Sequence, residues 1–239
     1  MMETAMNSQS EVMEMEPTLR EFEVFATMAP ATMRELVTGA TKVAFEAGDT
    51  IVSPGEEFPG LVVVLSGQVR VFRYNRAGKE QIFQMAEPGA ILGFAGINDR
   101  NISPVTLHGR KAGDLLVIPF ANVREAIRND GEFALVLFDI LDRRAETLRR
   151  MVDEFSLKDA HGRLATWLQR WIERHHPNQQ GQFHMVLPFT QSEIAAQIGT
   201  VREVISRGFA RMEKEGILTA SGKRLKILAQ SRLREMADR

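Results

Sequence analysis

The 239-residue chain sets 30 Lys+Arg against 31 Asp+Glu, for a formal net charge of −1, and it has no cysteine. The missing thiols exclude disulfides, thiolate-held iron–sulfur clusters and cysteine redox switches. No run of about 18 apolar residues occurs, so no membrane span is expected, and the acidic opening MMETAMNSQSEVMEMEPTL lacks the apolar stretch of a secretory signal. A cytoplasmic protein is expected. The balanced total hides an asymmetry. Residues 156–239 hold 14 Lys+Arg against 8 Asp+Glu, whereas the rest holds 16 against 23. A basic C-terminal module behind an acidic N-terminal one fits nucleic-acid contact through the C-terminal part.

In chain order, residues 1–17 are polar, methionine-rich and aperiodic, and are expected to form a mobile arm. Thr18 to Val37 has the apolar spacing of a helix, broken in two by Pro30. From Val43 to Ile118 the texture changes to short Val-, Ile- and Phe-rich runs: Val43–Phe45, Thr50–Val52, Leu61–Leu65, Gln68–Tyr74, Gln81–Met85, Ile91–Leu92, Val105–Leu107 and Leu115–Ile118. Gly48, Gly55, Gly60, Gly67, Gly78, Gly89 and Gly113 punctuate them, which predicts a β-barrel or jelly roll. Arg76-Ala77-Gly78-Lys79 reads as a hairpin tip. Phe120–Asn129 is expected to be a short helix and Glu132–Phe155 a long one. Along the long helix Leu137, Leu141, Leu148, Met151 and Phe155 form an apolar seam of coiled-coil type, expected to hold a homodimer. Arg144 takes the missing step of the seam, where it sets register, meets a ligand or snorkels to solvent. Ser156-Leu157-Lys158-Asp159 opens a helix carrying Leu164, Trp167, Leu168 and Trp171. The adjacent His175 and His176 are poorly placed to share one ion, and no metal site is assigned.

The stretch Thr190–Lys214 then reads as two helices joined at Gly199. Thr190 with Glu193 forms a capping box, and Thr200 with Glu203 repeats the pattern. On the second helix Val201, Val204, Ile205, Gly208, Phe209 and Met212 fall on one arc. Arg202, Glu203, Ser206 and Arg207 fall on the other. That polar arc carries the donors and acceptors that read base edges in a major groove. Thr219–Leu228 follows as a hairpin with a basic tip at Lys223 and Arg224. Together with Thr190, Gln191, Ser192 and Thr200, these two are the candidate phosphate contacts.

A glycine-punctuated β-domain, a seamed long helix and a C-terminal winged helix, in this order, resemble the Crp–Fnr family of bacterial transcription regulators over roughly Phe22–Leu228. The resemblance is carried by Phe45–Asp49, Pro54–Glu56, Leu65–Val71, Pro88–Gly93 and above all Arg202–Arg207. It implies an α+β fold with four parts: the arm (1–17), a cyclic-nucleotide-binding-like jelly roll with flanking helices as sensor (18–131), a dimerisation helix (132–155) and a winged helix-turn-helix (156–239). It further implies that Glu203 and Arg207 read bases. Arg202 matches the extra arginine of the cyclic-AMP receptor branch, and Ser206 matches the serine of the Fnr-like branch. Duplex DNA with an inverted repeat and RNA polymerase, the latter through the loop His175–Phe183, are the implied partners.

The sensor half departs from the cyclic-AMP-binding members. Those carry a glutamate after the glycine and an arginine before a small residue. Here the segments read Gly89-Ala90-Ile91-Leu92-Gly93-Phe94 and Asn101-Ile102-Ser103-Pro104, with Ile102 in place of the phosphate arginine. A buried cyclic phosphate would lack its cation, so cyclic AMP is disfavoured. The effector pocket is expected around Gly89, Ile91, Leu92, Gly93, Phe94 and Arg144. Haem stays open as a cofactor. Its axial ligand would be His108, the lone histidine of the β-domain, expected at a strand end, with arm methionines as second ligands. No nucleophile elbow, phosphate-cradling loop or dinucleotide fingerprint is present, so the chain is not read as an enzyme. The competing readings are a cyclic-nucleotide-responsive regulator and a cyclic-nucleotide-binding module acting on a protein partner.

Overall fold

A computed structural model describes residues 16–98, 100–179 and 181–238, so nearly all of the expected arm lies outside the described residues; Glu16 and Pro17 already belong to a helix. The chain forms two compact units. One comprises residues 1–73 and 83–144, the other residues 74–82 and 145–239.

The first unit begins with three short helices, α1 (Glu16–Arg20), α2 (Glu23–Ala26) and α3 (Pro30–Val37). Pro30 is the first residue of α3, where its missing N–H would have had no partner. Eight strands follow: β1 (Thr41–Phe45), β2 (Thr50–Val52), β3 (Leu61–Val64), β4 (Gln68–Tyr74), β5 (Glu80–Ala86), β6 (Ile91–Leu92), β7 (Thr106–Lys111) and β8 (Gly113–Ile118). They build two sheets in the orders β1-β8-β3-β6 and β2-β7-β4-β5. The unbroken apolar run of β3 has a simple cause. Successive side chains of a strand point to opposite faces. Val62 and Val64 pack with Phe45, Val69, Val71, Leu92 and Leu107 between the sheets, whereas Leu61 and Val63 pack outward against Leu19, Phe25, Leu36 and Phe133 of the helices. Both faces of β3 are therefore core.

Gly67 joins β3 to β4 with φ of 78°, and a Cβ there would lie 2.5 Å from the Ala112 carbonyl. Gly113, expected as punctuation, opens β8 one residue after β7 ends and lies opposite Phe45. A Cβ at Gly113 would meet the Ser66 carbonyl at 2.2 Å, so the glycine serves close packing as well. β7 also runs on through His108 to Lys111, which moves His108 from a strand end to mid-strand.

Two further helices complete this part of the chain, a short α4 (Phe120–Asn129) and a long α5 (Gly131–Leu157). Ser156 and Leu157 close α5 and do not open the next helix. In the second unit α6 (Ala160–His175) begins at Asp159, whose side chain accepts from the Gly162 amide at 2.7 Å. Then come β9 (Phe183–Val186), α7 (Gln191–Gln197), α8 (Arg202–Lys214), β10 (Leu218–Ser221), β11 (Arg224–Ile227) and α9 (Gln230–Ala237). The three strands pair in the order β10-β11-β9, so the expected two-stranded wing gains β9 as a third member. α9 buries Leu233, Met236 and Ala237; neither it nor β9 was expected from the sequence. Gly208 lets α8 approach α6 closely, since a Cβ there would lie 2.6 Å from the Leu164 side chain. No described helix is long and apolar enough to cross a membrane.

Candidate nucleic-acid interface and effector region

The turn before α8 sets how that helix is presented. α7 starts on a true capping box: the Thr190 hydroxyl accepts from the Glu193 amide at 3.1 Å, and the Thr190 amide donates to the Glu193 carboxylate at 2.8 Å. It ends at Gly199, with φ of 68°, while the Thr200 amide donates back to the Ala195 carbonyl at 2.9 Å. This is a Schellman closure. Because Thr200 completes that closure, the second capping box does not form. The N-cap is Val201, extended at φ −122° and ψ 157°, with no side-chain cap. Val201 is accordingly exposed, off the packed arc on which the sequence placed it.

Beyond Val201 the helix is two-faced. Ile205, Gly208, Phe209 and Met212 are buried and Val204 is half-buried. Arg202, Glu203, Ser206 and Arg207 are exposed, and none of their side chains bonds to another described residue. Arg211, one turn on, differs: its Nε donates to Glu215 at 2.8 Å, and that carboxylate raises the Arg211 pKa above the ordinary value. The sequence-marked base readers thus share one unengaged surface at the helix start. Lys223 and Arg224 are exposed on the β10–β11 hairpin, which turns at Gly222 with φ of 60°. Ser192 is exposed, whereas Gln191 and Thr200 are half-buried; Thr190 is exposed but its hydroxyl is already used by the cap.

The seam on α5 needs a correction. Leu137 is 4% exposed and sits in the core of the first unit. Met151 is half-buried. The exposed apolar side chains are Leu135, Phe138, Leu141, Leu148, Val152, Phe155 and Leu157. Phe138, Leu141, Ala145, Leu148, Val152 and Phe155 follow the three–four spacing of a heptad seam. The sequence offered two overlapping apolar series, and Leu137 belongs to the buried one whereas Phe138 and Val152 fall on the exposed one.

In the effector region, Gly89 and Gly93 have φ of 87° and 85°. Ile91 and Leu92 point into different cores, Ile91 toward the helices and Leu92 between the sheets. Arg144 turns inward instead of snorkelling. Its guanidinium donates to the Ile91 carbonyl and lies 4.9 Å from the Phe94 ring centre, and burial pushes its pKa below the ordinary value. Phe94, Ile91 and Arg144 therefore come together, while Leu92 does not join them. Ser103 is 1% exposed, and its hydroxyl donates to the Val105 carbonyl at 2.7 Å. Ile102 is half exposed, at 50%. Phe45, Val62, Val64, Val69, Leu92 and Leu107 form an apolar cluster between the sheets. His108 pairs with Arg70 across β4–β7 and with Thr50 across β2–β7, and its ring is edge-on to Phe72 at 6.1 Å. His108 Nδ1 is buried and has no hydrogen-bond partner among the described residues.

Comparison with known proteins places both halves. Residues 42–130 match the cyclic nucleotide-binding domain, and residues 162–236 match the Crp-like helix-turn-helix domain. A transcriptional activator protein FnrA from Stutzerimonas stutzeri is 29% identical over 181 residues, covering 76% of this chain and 74% of that protein. A CRP-like cAMP-activated global transcriptional regulator from Mycobacterium tuberculosis is 25% identical over 217 residues, covering 90% of this chain and 96% of that one. Among solved structures, a CooA mutant from Carboxydothermus hydrogenoformans superposes with a TM-score of 0.72 at 20% identity, over 84% of this chain and 89% of that one. A cyclic nucleotide-binding domain followed by a Crp-like helix-turn-helix domain is the arrangement of the Crp–Fnr class of DNA-binding transcription regulators. The chain belongs to the Crp–Fnr family.

Proposed function

We propose that the protein is a homodimer that reads an inverted-repeat duplex through α8 and is controlled by a small effector bound in the β-domain. The observation that carries the reading is the exposed, unengaged set Arg202, Glu203, Ser206 and Arg207 on a helix whose opposite face is buried. Arg207 and Arg202 suit guanine edges, Glu203 a cytosine amine, and Ser206 either kind of edge. Lys223, Arg224 and Ser192 supply phosphate contacts, with Thr190, Gln191 and Thr200 as further candidates. The α5 seam Phe138–Phe155 supports the dimer, and a dimer supplies the two-fold symmetry of the site. RNA polymerase is the further partner of such a regulator, with the chain between α6 and β9 as its contact. Regulation by DNA binding, and not catalysis, is the activity.

Cyclic AMP is disfavoured as the effector. Ile102 stands where a phosphate cation is needed, and the Ser103 hydroxyl is already bonded to the Val105 carbonyl. Haem ligated by His108 stays open, since its Nδ1 is buried with no hydrogen-bond partner among the described residues. The match to the cyclic nucleotide-binding domain keeps a cyclic-nucleotide-responsive regulator as the second reading. Selection of random duplexes by the purified protein tests the first claim: an enriched inverted repeat is expected, and failure to enrich any duplex with or without cyclic nucleotide would refute it. The absorbance spectrum of freshly purified protein tests the haem reading: a Soret band would support it, and its absence would exclude it.

A further inference from the structure

Three successive carbonyls at the turn between α7 and α8 accept hydrogen bonds from side chains outside the helix-turn-helix. Lys79 Nζ donates to Gly199 at 2.9 Å, Arg163 Nε to Ile198 at 2.9 Å, and Gln81 Nε2 reaches Gln197 at 3.5 Å. These carbonyls end α7, have no partner within it, and carry the negative end of its dipole, so cationic and amide donors suit them. Two of the three donors come from residues 74–82, the tip of the β4–β5 hairpin, which belongs to the second unit. The tip is itself ordered. Asn75 Oδ1 accepts from the amides of Ala77 and Lys79 at 2.9 Å each, the Asn75 amide donates to the Lys79 carbonyl at 2.9 Å, and Gly78 has φ of 76°. Lys79 thus starts from a fixed backbone. Gln81 also packs on the turn: its Oε1 would lie 3.3 Å from a Cβ placed on Gly199.

We propose that the hairpin tip is a positioning element of the DNA-binding unit, in which Lys79, helped by Gln81, fixes the helix-turn-helix turn and so the pose in which α8 meets duplex DNA. The proposal rests on α8 being the reading helix. In this proposal Lys79 acts through Gly199, whose carbonyl its ammonium holds. A direct phosphate contact by Lys79 is the competing outcome.

The test uses full-length Lys79→Ala, Lys79→Arg and Gln81→Ala with the duplex that the wild-type protein enriches from a random pool. Lys79→Ala should weaken that duplex about 3- to 10-fold, the scale of one hydrogen bond. It should leave a scrambled duplex and the salt slope unchanged, and should speed amide exchange at Thr200 and Val201 without moving the thermal midpoint. Gln81→Ala should speed the same amides, and Lys79→Arg should keep wild-type affinity. An equal loss on both duplexes, with a salt slope shallower by about one unit per protomer, would overturn the proposal in favour of a phosphate contact. Unchanged affinity and exchange would overturn it too. The exchange is read without DNA, so failure of the clamp is distinguishable from failure of α8 as the reader.

Discussion

Phe155, near the end of α5, packs on Gly199 of the helix-turn-helix: a Cβ on Gly199 would lie 3.0 Å from the far end of the Phe155 ring. Arg163 ties the two together, with its guanidinium carbon 5.5 Å from the Phe155 ring centre and its Nε on the adjacent Ile198 carbonyl. Gly199 is in the left-handed region at φ 68°. An alanine would add left-handed strain of about 1–2 kcal/mol and press on Phe155. Gly199→Ala should therefore lower the urea midpoint of the second unit with m unchanged. An unaltered midpoint would show that the turn relaxes freely.

Dimerisation and folding should separate on α5. Leu148→Glu places a charge in the exposed seam and should cost the dimer roughly 3 kcal/mol or more, giving monomers in sedimentation. Leu137→Ala removes a core side chain and should cost the fold about 2–5 kcal/mol while leaving the dimer of the folded fraction intact. The opposite assignment of the two variants would restore the Leu137 seam.

Much of the architecture was legible in the sequence, and the reasons are local. β2, β4, β6 and α4 have the bounds that their apolar runs predicted, because glycines with positive φ such as Gly78 and Gly89 mark turns wherever they occur. The exposed polar arc of α8 was legible because a helix buried on one side leaves a periodic trace. What escaped is set by distant contacts. β9 and α9 owe their form to β11 and α6, not to any periodicity of their own. Thr200-Val201-Arg202-Glu203 carries the capping pattern, but the Schellman closure at Gly199 takes Thr200 first. Lys79 looked like any hairpin lysine, and its partner lies 120 positions away.

Two aspartates should make stability fall in acid. Asp130 accepts from the Phe133 amide at 3.0 Å and Asp159 from the Gly162 amide at 2.7 Å, and these bonds are the main cause of carboxyl pKa values below the ordinary one. A depressed folded-state pKa stabilises the fold fully above the unfolded value of about 3.8. The benefit disappears as pH falls through the folded value. Asp159→Ala should cost about 1 kcal/mol at pH 7, and the gap from wild type should close as unfolding is measured at pH values below that range. A gap independent of pH would assign the cap no charge component.

Cyclic AMP should show no tight saturable binding in calorimetric titration of the purified protein. Ile102 is half exposed and supplies no cation, and Arg144 is engaged by Ile91 and Phe94. A micromolar dissociation constant would overturn the reading of Ile102 and favour the cyclic-nucleotide-responsive regulator.

Base reading and phosphate contact should fail differently. A two-fold dimer presents two copies of α8, so the enriched site should be an inverted repeat with half-site centres about 10–10.5 bp apart or a multiple of that. Arg207 is exposed, bonds to no other described residue, and has a donor fork that fits the two acceptors of a guanine edge. Arg207→Ala should cost about 1–3 kcal/mol per contact and relax the preference at one symmetric position of the site. Its fold should be preserved, since Ile205, Gly208 and Phe209 carry the packing of α8. Lys223, exposed on the β10–β11 hairpin, has no such geometry toward a base. Lys223→Ala should weaken every duplex alike and make the salt slope shallower by about one unit per half-site. Selection from random duplexes and affinities across a salt series read both effects. Should Arg207→Ala retain the full wild-type base preference, α8 is not the reader, and the interface must be sought elsewhere on the second unit.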